Sequence, residues 1–339
     1  MIVPFHDAPP DVAVREFIPS DGEGIVTLIR RNYGETYHKR LFYDPDHIRN
    51  ANARGQTVSV VALYFETVIG HFALFPSEFS NIAEIGAAAV DPAFKHLGVM
   101  NRMFDLLVTV ARSMKFSALY GEAIMLHHFS QKANLHHGMR ESAILLGEVP
   151  STIEIEHRYK DAKRSGGMEA FLLFDTRPRA LCLPERYAAI IAENYLRTRI
   201  ALMPPSAPPL PASCAPGRHY SPMLNIGYIV FDALSSAQEL DAAIEEHLHH
   251  RCDMIYADIN LHRIGNIDAL VALLNGRRFF YAGVMFMLYG NEDYLRLQRK
   301  NTPAIDEEGL VCYSEFAKAL LTYILEDERK VMEGRKAPQ

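Results

Sequence analysis

Apolar residues recur along this chain at two spacings, and the places where the spacing changes mark its elements. Val12 to Phe17 alternates and predicts a first strand. Ser20-Asp21-Gly22-Glu23 then matches a capping box, in which the Ser side chain takes a free helix N–H and the Glu returns to the N–H of the cap. The helix predicted after it carries Ile25, Leu28 and Ile29 on one face, a pattern of core packing with no chemistry implied. A second short helix is predicted over Asp46 to Arg54. Val58 to Phe65 and Val68 to Phe75 are rich in β-branched and aromatic residues and predict two strands, with a turn at Glu66-Thr67. Ile82 to Val90 predicts another strand, ended by Asp91-Pro92 because proline cannot donate to a ladder. From Leu97 to Met114 the spacing turns helical, with Met100, Met103, Phe104, Leu107, Val108 and Ala111 on one side. Ala118 to Ala123 reads as a buried strand, Ser130 to His137 as a helix stopped by Gly138, and Ser142 to Val149 and Met168 to Phe174 as two further strands.

Pro184 to Arg199 is again helical in pattern, and the proline-dense stretch Pro204 to Pro216 predicts an extended linker. Beyond it come a strand (Leu224–Phe231), a helix (Ala237–His250), a strand (Met254–Asn260), a helix (Ile267–Leu274), two strands (Phe279–Met287, Tyr294–Gln298) and a closing helix, Ser314 to Met332. From Ile82 and again from Leu224 the order is strand, helix, strand, helix, strand, strand. We read this as a degenerate internal duplication; coincidence is the alternative, since α/β alternation is common. The expected division is 1–178, a linker over 179–222, and 223–339.

A chain of 339 residues is long for one core, in keeping with two domains. A net charge of −6 gives no basic excess and argues against nucleic acid as partner. The cysteines, Cys182, Cys214, Cys252 and Cys312, form no CxxC pair, so no disulfide framework or metal site is expected. Met1 to Pro10 has neither an apolar core nor a basic lead, and no apolar run is long enough to span a bilayer. A cytoplasmic protein without membrane contact is the expectation.

The richest stretch is Ala88-Ala89-Val90-Asp91-Pro92-Ala93-Phe94-Lys95-His96-Leu97-Gly98-Val99-Met100-Asn101. A strand ends, a short turn follows and a long helix begins. Unpaired N–H groups at a helix start bind phosphate without many cationic side chains. Gly98 allows close backbone approach, and Lys95 adds charge. This stretch resembles motif A of the GNAT superfamily, Val-x-Pro-x-x-[Arg/Gln]-Gly-x-Gly-x-[Gly/Ala]. Val90, Pro92 and Gly98 match, Lys95 stands at the Arg/Gln position, and His96 and Met100 replace small residues. Downstream, Gly121-Glu122-Ala123 ends a strand that, by the resemblance, splays from its neighbour to admit acyl-pantetheine. Gly138-Met139 stands where the following helix usually ends in Gly-Phe, and Asn134 stands where a Tyr general acid is usual. His128-x-Ser130-Gln131, Leu146-Gly147-x-x-Pro150, the strand near Phe171 to Phe174, Leu183-Pro184-Glu185-Arg186-Tyr187, Phe279-Phe280-Tyr281-Ala282-Gly283 and Leu295-Arg296-Leu297-Gln298 are similar to a bacterial group of tandem GNAT-like proteins, some fused to anti-sigma-factor-type kinase domains. The resemblance implies an α/β GNAT fold, a mixed sheet with flanking helices, followed by a second, degenerate GNAT-like half. No Gly-rich turn lies between Phe231 and Ala237, so that half is expected not to bind coenzyme.

The implied activity is transfer of an acetyl or other acyl group from acyl-CoA, as co-substrate, to an amine on a small molecule or a protein, by direct attack in a ternary complex. Ala88, Val90, the turn Lys95, His96, Leu97, Gly98, Val99, Met100 and Asn101, and Ser130 and Asn134 are the expected coenzyme contacts. Ser130-Gln131 can equally be a helix cap. Glu122, Glu84 and His128 are the candidate bases. A carboxylate inside Leu119-Tyr120-Gly121-Glu122-Ala123-Ile124 needs a reason, since burial of charge is costly. Glu84 reads equally as a solvent-facing strand residue, and His127 or His128 stands at the cleft mouth with a ring that titrates near neutrality. Tyr33, Tyr37 and Tyr43 read either as acceptor-side lining or as aromatic core. His136 and His137 lack a metal-ligand spacing, and His247, His249 and His250 suit contacts with helix carbonyls. Two rival readings are an acyl-CoA-binding module without turnover and a structural protein whose Met100 fills the turn. The oligomeric state is open to a homodimer.

Overall fold

The structure, a computed structural model, describes residues 11–152, 163–205, 215–302 and 304–334. Met1 to Pro10, Cys214 and most of the proline-dense stretch lie outside the described residues. The first half runs β1 (Val12–Glu16), α1 (Gly22–Tyr33), α2 (Pro45–Ala53), β2 (Val58–Tyr64), β3 (Thr67–Pro76), β4 (Ile82–Val90), α3 (Val99–Ser113), β5 (Ala118–Ile124), α4 (Phe129–His136), β6 (Arg140–Val149) and β7 (Ser165–Leu173). Short strands β8 (Arg179–Ala180) and β9 (Leu202–Met203) pair around α5 (Ala188–Thr198). The second half runs β10 (Gly217–Ser221), β11 (Ile226–Phe231), α6 (Ala237–His249), β12 (Met254–Asn260), α7 (Ile267–Asn275), β13 (Phe280–Tyr289), β14 (Glu292–Lys300) and α8 (Glu315–Glu333). Every strand and helix expected from the periodicity is present within a few residues. The sequence pattern did not single out β10, a strand of mostly polar residues at the sheet edge.

Local chemistry sets the boundaries. Asp44 caps α2 by accepting from the Asp46 and His47 N–H groups, and Pro45 follows at the first helical position. The capping box expected at Ser20 and Glu23 does not form. Pro19 starts a turn of 3-10 helix that follows Ile18, and α1 itself begins after Asp21. Asp21 then accepts from the Ile18 N–H at 2.8 Å and pairs with Arg15 at 2.7 and 2.9 Å. His249 bonds the Glu245 carbonyl as expected of that run, but His247 is buried and meets the Tyr228 carbonyl of β11.

The strands join into one mixed sheet, ordered β1-β2-β3-β4-β5-β7-β6-β13-β14-β12-β11-β10. α3 covers one face of the first half, where Phe72, Leu74 and Ile85 meet Met103, Phe104 and Leu107. α1 and α2 cover the other, where Val61, Ala73, Ala87 and Ala89 meet Ile25, Leu28, Phe42 and Ile48. A third cluster runs through both halves, from Met168 and Phe171 to Tyr195, Tyr256 and Phe286.

The sheet has the same order on each side of its centre. β4 lies parallel to β5, β5 antiparallel to β7 and β7 to β6; likewise β11 lies parallel to β12, β12 antiparallel to β14 and β14 to β13. β6 and β13 meet at the centre through the single register pair Ala143–Gly283. Gln298 of β14 takes over where their ladder stops. Its Oε1 accepts from the Leu146 N–H at 2.8 Å, and its Nε2 donates to the carbonyls of Ile144 at 3.2 Å and Tyr281 at 3.1 Å. Arg164 adds bonds to the Gly147 and Leu224 carbonyls and to Asp253.

Gln298 is fully buried, so removing its amide strands several backbone groups. Gln298→Ala should cost about 2–4 kcal/mol, read by urea unfolding; an unchanged midpoint would mean that the joint does not depend on this side chain.

Candidate functional site

The site begins where two parallel strands part. β4 and β5 pair at Ile82–Ala118, Ala83–Leu119 and Glu84–Tyr120, and no further. On the α3 face the next step is filled by Ile85, whose Cγ1 lies 2.7 Å from where a Cβ on Gly121 would stand. Beyond it the two strands diverge.

A bulge turns β4 away. Its register against β3 shifts between His71–Ala89 and Ala73–Gly86, and Ala87 adopts a φ of 53°. That left-handed backbone costs a non-glycine residue roughly 1–2 kcal/mol, so something must hold it. The Tyr37 hydroxyl accepts from the Ala87 N–H at 3.0 Å, and the Tyr33 hydroxyl donates to the Ala88 carbonyl at 2.7 Å. His71 Nδ1 meets the Ala87 carbonyl at 2.9 Å, and its Nε2 meets Ser59 Oγ at 3.1 Å. Burial holds the His71 imidazole down at about 4, so the ring is neutral and its one N–H sits on Nδ1. Tyr43 completes the support by donating to the Gly34 carbonyl and accepting from the Tyr37 N–H. These tyrosines are therefore hydrogen-bonded braces of the bulge.

The turn between β4 and α3 follows. Asp91 caps a short turn through the Ala93 N–H. His96 at φ 68° and Gly98 at φ 74° are both left-handed, and α3 starts at Val99 with no side-chain cap and no acidic residue in its first turn. The first bond of α3 runs from the Arg102 N–H to the Gly98 carbonyl at 3.2 Å, so the N–H groups of Val99, Met100 and Asn101 precede the helical ladder. The Leu97 and Met100 side chains, partly buried, pack onto the core under α3. The Asn101 carboxamide meets His137 Nε2 at 3.3 Å, and that ring lies flat on Phe104.

The second half closes both features. β11 and β12 pair over six positions, from Ile226–Met254 to Phe231–Ile259. At the start of α6, Ser236 accepts from the Glu239 N–H and Glu239 accepts from the Ser236 N–H. That helix start is self-capped and acidic, a poor seat for phosphate.

The face of the sheet shared with α1 carries the carboxylates. Glu122 is exposed, and its side chain lies over Gly167 of β7. Desolvation there, with Glu148, Glu169 and Glu84 nearby, pushes its carboxyl well above the usual range. Glu84 is already paired with Lys39 at 2.9 Å, and Lys39 lies over the Phe75 ring. His128 precedes α4 without capping it and stacks near Tyr313, ring centres 5.8 Å apart. Neither Ser130 nor Gln131 caps α4. Gln131 is buried and clamps the second half, donating to the Val311 carbonyl at 2.7 Å and accepting from the Tyr313 N–H at 2.9 Å. Asn134 is buried in α4 and carries no transferable proton.

Two carboxylates went unnoticed in the sequence. Glu169 is paired in register with Glu122, is buried, and leaves Oε2 without a partner; burial pushes its carboxyl up to about 8. Glu148, beside the bulge at Gly147, is buried with Oε2 equally unpartnered, and burial raises its carboxyl too. Glu169 lies in the apolar run Gly166-Gly167-Met168-Glu169-Ala170-Phe171, the same signal that marked Glu122.

Residues 23–133 match the family model for the acetyltransferase (GNAT) family. No curated protein matches the chain. Similar solved structures include the ribosomal-protein-S5-alanine acetyltransferase of Vibrio fischeri, 12% identical, covering 49% of this chain and 94% of that one with a TM-score of 0.39. A Salmonella typhimurium protein solved with its cofactor acetyl-CoA is 14% identical, covering 49% and 95%, with a TM-score of 0.41. The ribosomal-protein-S18-alanine N-acetyltransferase of Escherichia coli is 11% identical, covering 51% and 99%, with a TM-score of 0.40. Among the described residues no helix is long and apolar enough to cross a membrane.

The neutral His71 makes stability fall on acidification. The unfolded chain takes up this proton below about pH 6.5, the folded one only near 4. Stability from this group is therefore full above pH 6.5 and is lost between 6.5 and 4. From pH 7 to pH 5 the loss should be about 2 kcal/mol from His71. Urea unfolding at both values should show that difference shrinking by this amount in His71→Asn; an identical loss in both proteins would mean that His71 is charged.

Proposed function

We propose that the first half of the chain is an acyl-CoA-dependent N-acyltransferase, with acetyl-CoA or another acyl-CoA as donor and an amine as acceptor. The observation that carries this reading is the parting of β4 from β5 beside an uncapped helix start. An extended pantetheine arm presents amide groups that can pair with a free strand edge, which the parted length of β4, including Ala88 and Val90, supplies. A pyrophosphate needs clustered N–H donors, and the turn from Lys95 to Asn101 holds them with Gly98 at its centre. The match of residues 23–133 to an acetyltransferase family model supports the same reading.

Glu122 is the proposed base. It lies two residues beyond the last β4–β5 pair, and its raised proton affinity suits uptake of a proton from an ammonium. Once Glu122 holds that proton, the neutral nitrogen attacks the thioester carbonyl carbon; the C–N bond forms as the C–S bond breaks. The nitrogen loses a second proton, and the departing thiolate takes one up. With Asn134 at the position of the usual acid, that last proton comes from solvent. Glu84, held by Lys39, shapes the field around Glu122, and His128 stands at the start of α4. We place the protein in the cytoplasm.

The proton-less Asn134 favours one second reading, a module that binds acyl-CoA without turnover. A thermal titration with acetyl-CoA, longer acyl-CoAs and free CoA should raise the melting temperature, as for any ligand of the folded state, with a gain of about 2.7 kcal/mol at a hundredfold excess over Kd. Gly98→Glu should abolish the shift. Glu122→Gln should keep it and lower kcat about 10²–10⁴-fold. A shift without turnover in the wild type would select the binding module, and full turnover in Glu122→Gln would move the base elsewhere.

A further inference from the structure

The fork between β4 and β5 carries an amine of its own. Up to Glu84–Tyr120 the two strands are zipped, so an arm laid along the parted length of β4 has its tip at that pair. On the face shared with α1, the first residue past Glu84 is Gly86. A Cβ there would stand 3.1 Å from Glu84 Oε1, 3.1 Å from Phe75 Cε2 and 3.6 Å from Lys39 Cε. The missing side chain leaves a small space walled by a carboxylate, a ring and the end of a lysine.

Lys39 comes from the stretch between α1 and α2 and reaches this spot in a fixed pose. Both oxygens of Glu84 lie 2.9 Å from its Nζ, and the ammonium stands 4.2 Å from the centre of the Phe75 ring. The pair is not sealed in: the Lys39 side chain is 19% exposed and that of Glu84 27%, so a reagent can approach from the open side. Lys115, after α3, and Lys318 and Lys330 on α8 are exposed and stand on other elements.

We propose that Lys39 is a self-acylation site, at which acyl-CoA seated in the slot gives its acyl group to Nζ of the same chain. This rests on the acyltransfer reading above and adds a covalent product on the protein itself. Glu84 takes one proton from the ammonium it already holds and later passes it to solvent. The neutral nitrogen attacks the thioester carbonyl carbon, and the C–N bond forms as the C–S bond breaks. The nitrogen then gives its second proton to the departing thiolate, which leaves as free CoA. The product is a neutral amide, which no longer holds Glu84 by charge. Its acyl group fills the space at Gly86 that the tip of the arm needs. Desolvation is the largest cause of the raised proton affinity of Glu122; Glu84 adds to it and Lys39 opposes it, so loss of the cation raises it further. The modification is therefore self-limiting, one acyl group per chain and a slot closed to the next.

The purified full chain is incubated with isotopically labelled acetyl-CoA, digested and read by mass spectrometry. Held beside the thioester, Lys39 should be labelled at least about tenfold faster than Lys115, Lys318 and Lys330, which report reaction from solution. Its rate should not change with protein concentration. An excess of free CoA should slow Lys39 and leave the other three unchanged, and Gly98→Glu should do the same. Labelling of Lys39 no faster than the exposed lysines, a rate that rises with protein concentration, or a rate indifferent to free CoA would each overturn the proposal. A parallel thermal titration with acetyl-CoA keeps the two readings apart. A raised melting temperature with Lys39 unlabelled sinks this inference alone, and neither a shift nor a label sinks both.

Discussion

A strand that leaves its neighbour exposes a row of amide groups, and the bulge at Ala87 is what makes β4 leave β5. Its backbone is unfavourable for alanine, and its cost is met by hydrogen bonds from three aromatic side chains on two different elements. Tyr33 and Tyr37 come from the α1 region and His71 from β3, so the fold around the bulge must be complete before the slot exists. The buried imidazole must also be neutral, which ties the geometry of the slot to pH through folding.

The comparison between the halves isolates this feature. Both use the same strand order, yet β11 stays zipped to β12 and α6 caps its own first turn. One frame thus holds an open edge with free helix donors, and the other holds neither. The electrostatics follow the same division, since Arg296 and Asp258 pair with each other in one half while Glu169 and Glu148 in the other each keep one buried oxygen without a partner.

Much of this was legible in the sequence because periodicity fixes elements. β4 and β12 begin and end where the apolar runs do, and Asp91-Pro92 stops β4 as expected. The carboxylate at Glu122 stood out inside its apolar strand. Glu169 carried the same signal and was missed, since its importance lies in facing Glu122, and cross-strand register is not written in either strand alone. The capping box at Ser20 failed because Pro19 begins its turn one residue earlier, a competition between two local rules. The part played by Gln131 was hidden because its partners lie at Val311 and Tyr313, far along the chain. His71, in a strand of apolar residues, gave no hint that it braces the next strand.

The unbroken sheet has a consequence for how the chain comes apart. Gln298 and Arg164 stitch the halves together at the centre, where a hinge would otherwise lie, and one apolar cluster runs through both. The half without an open slot is then a clamp on the half that has one, and damage far from the slot is felt there through the backbone they share.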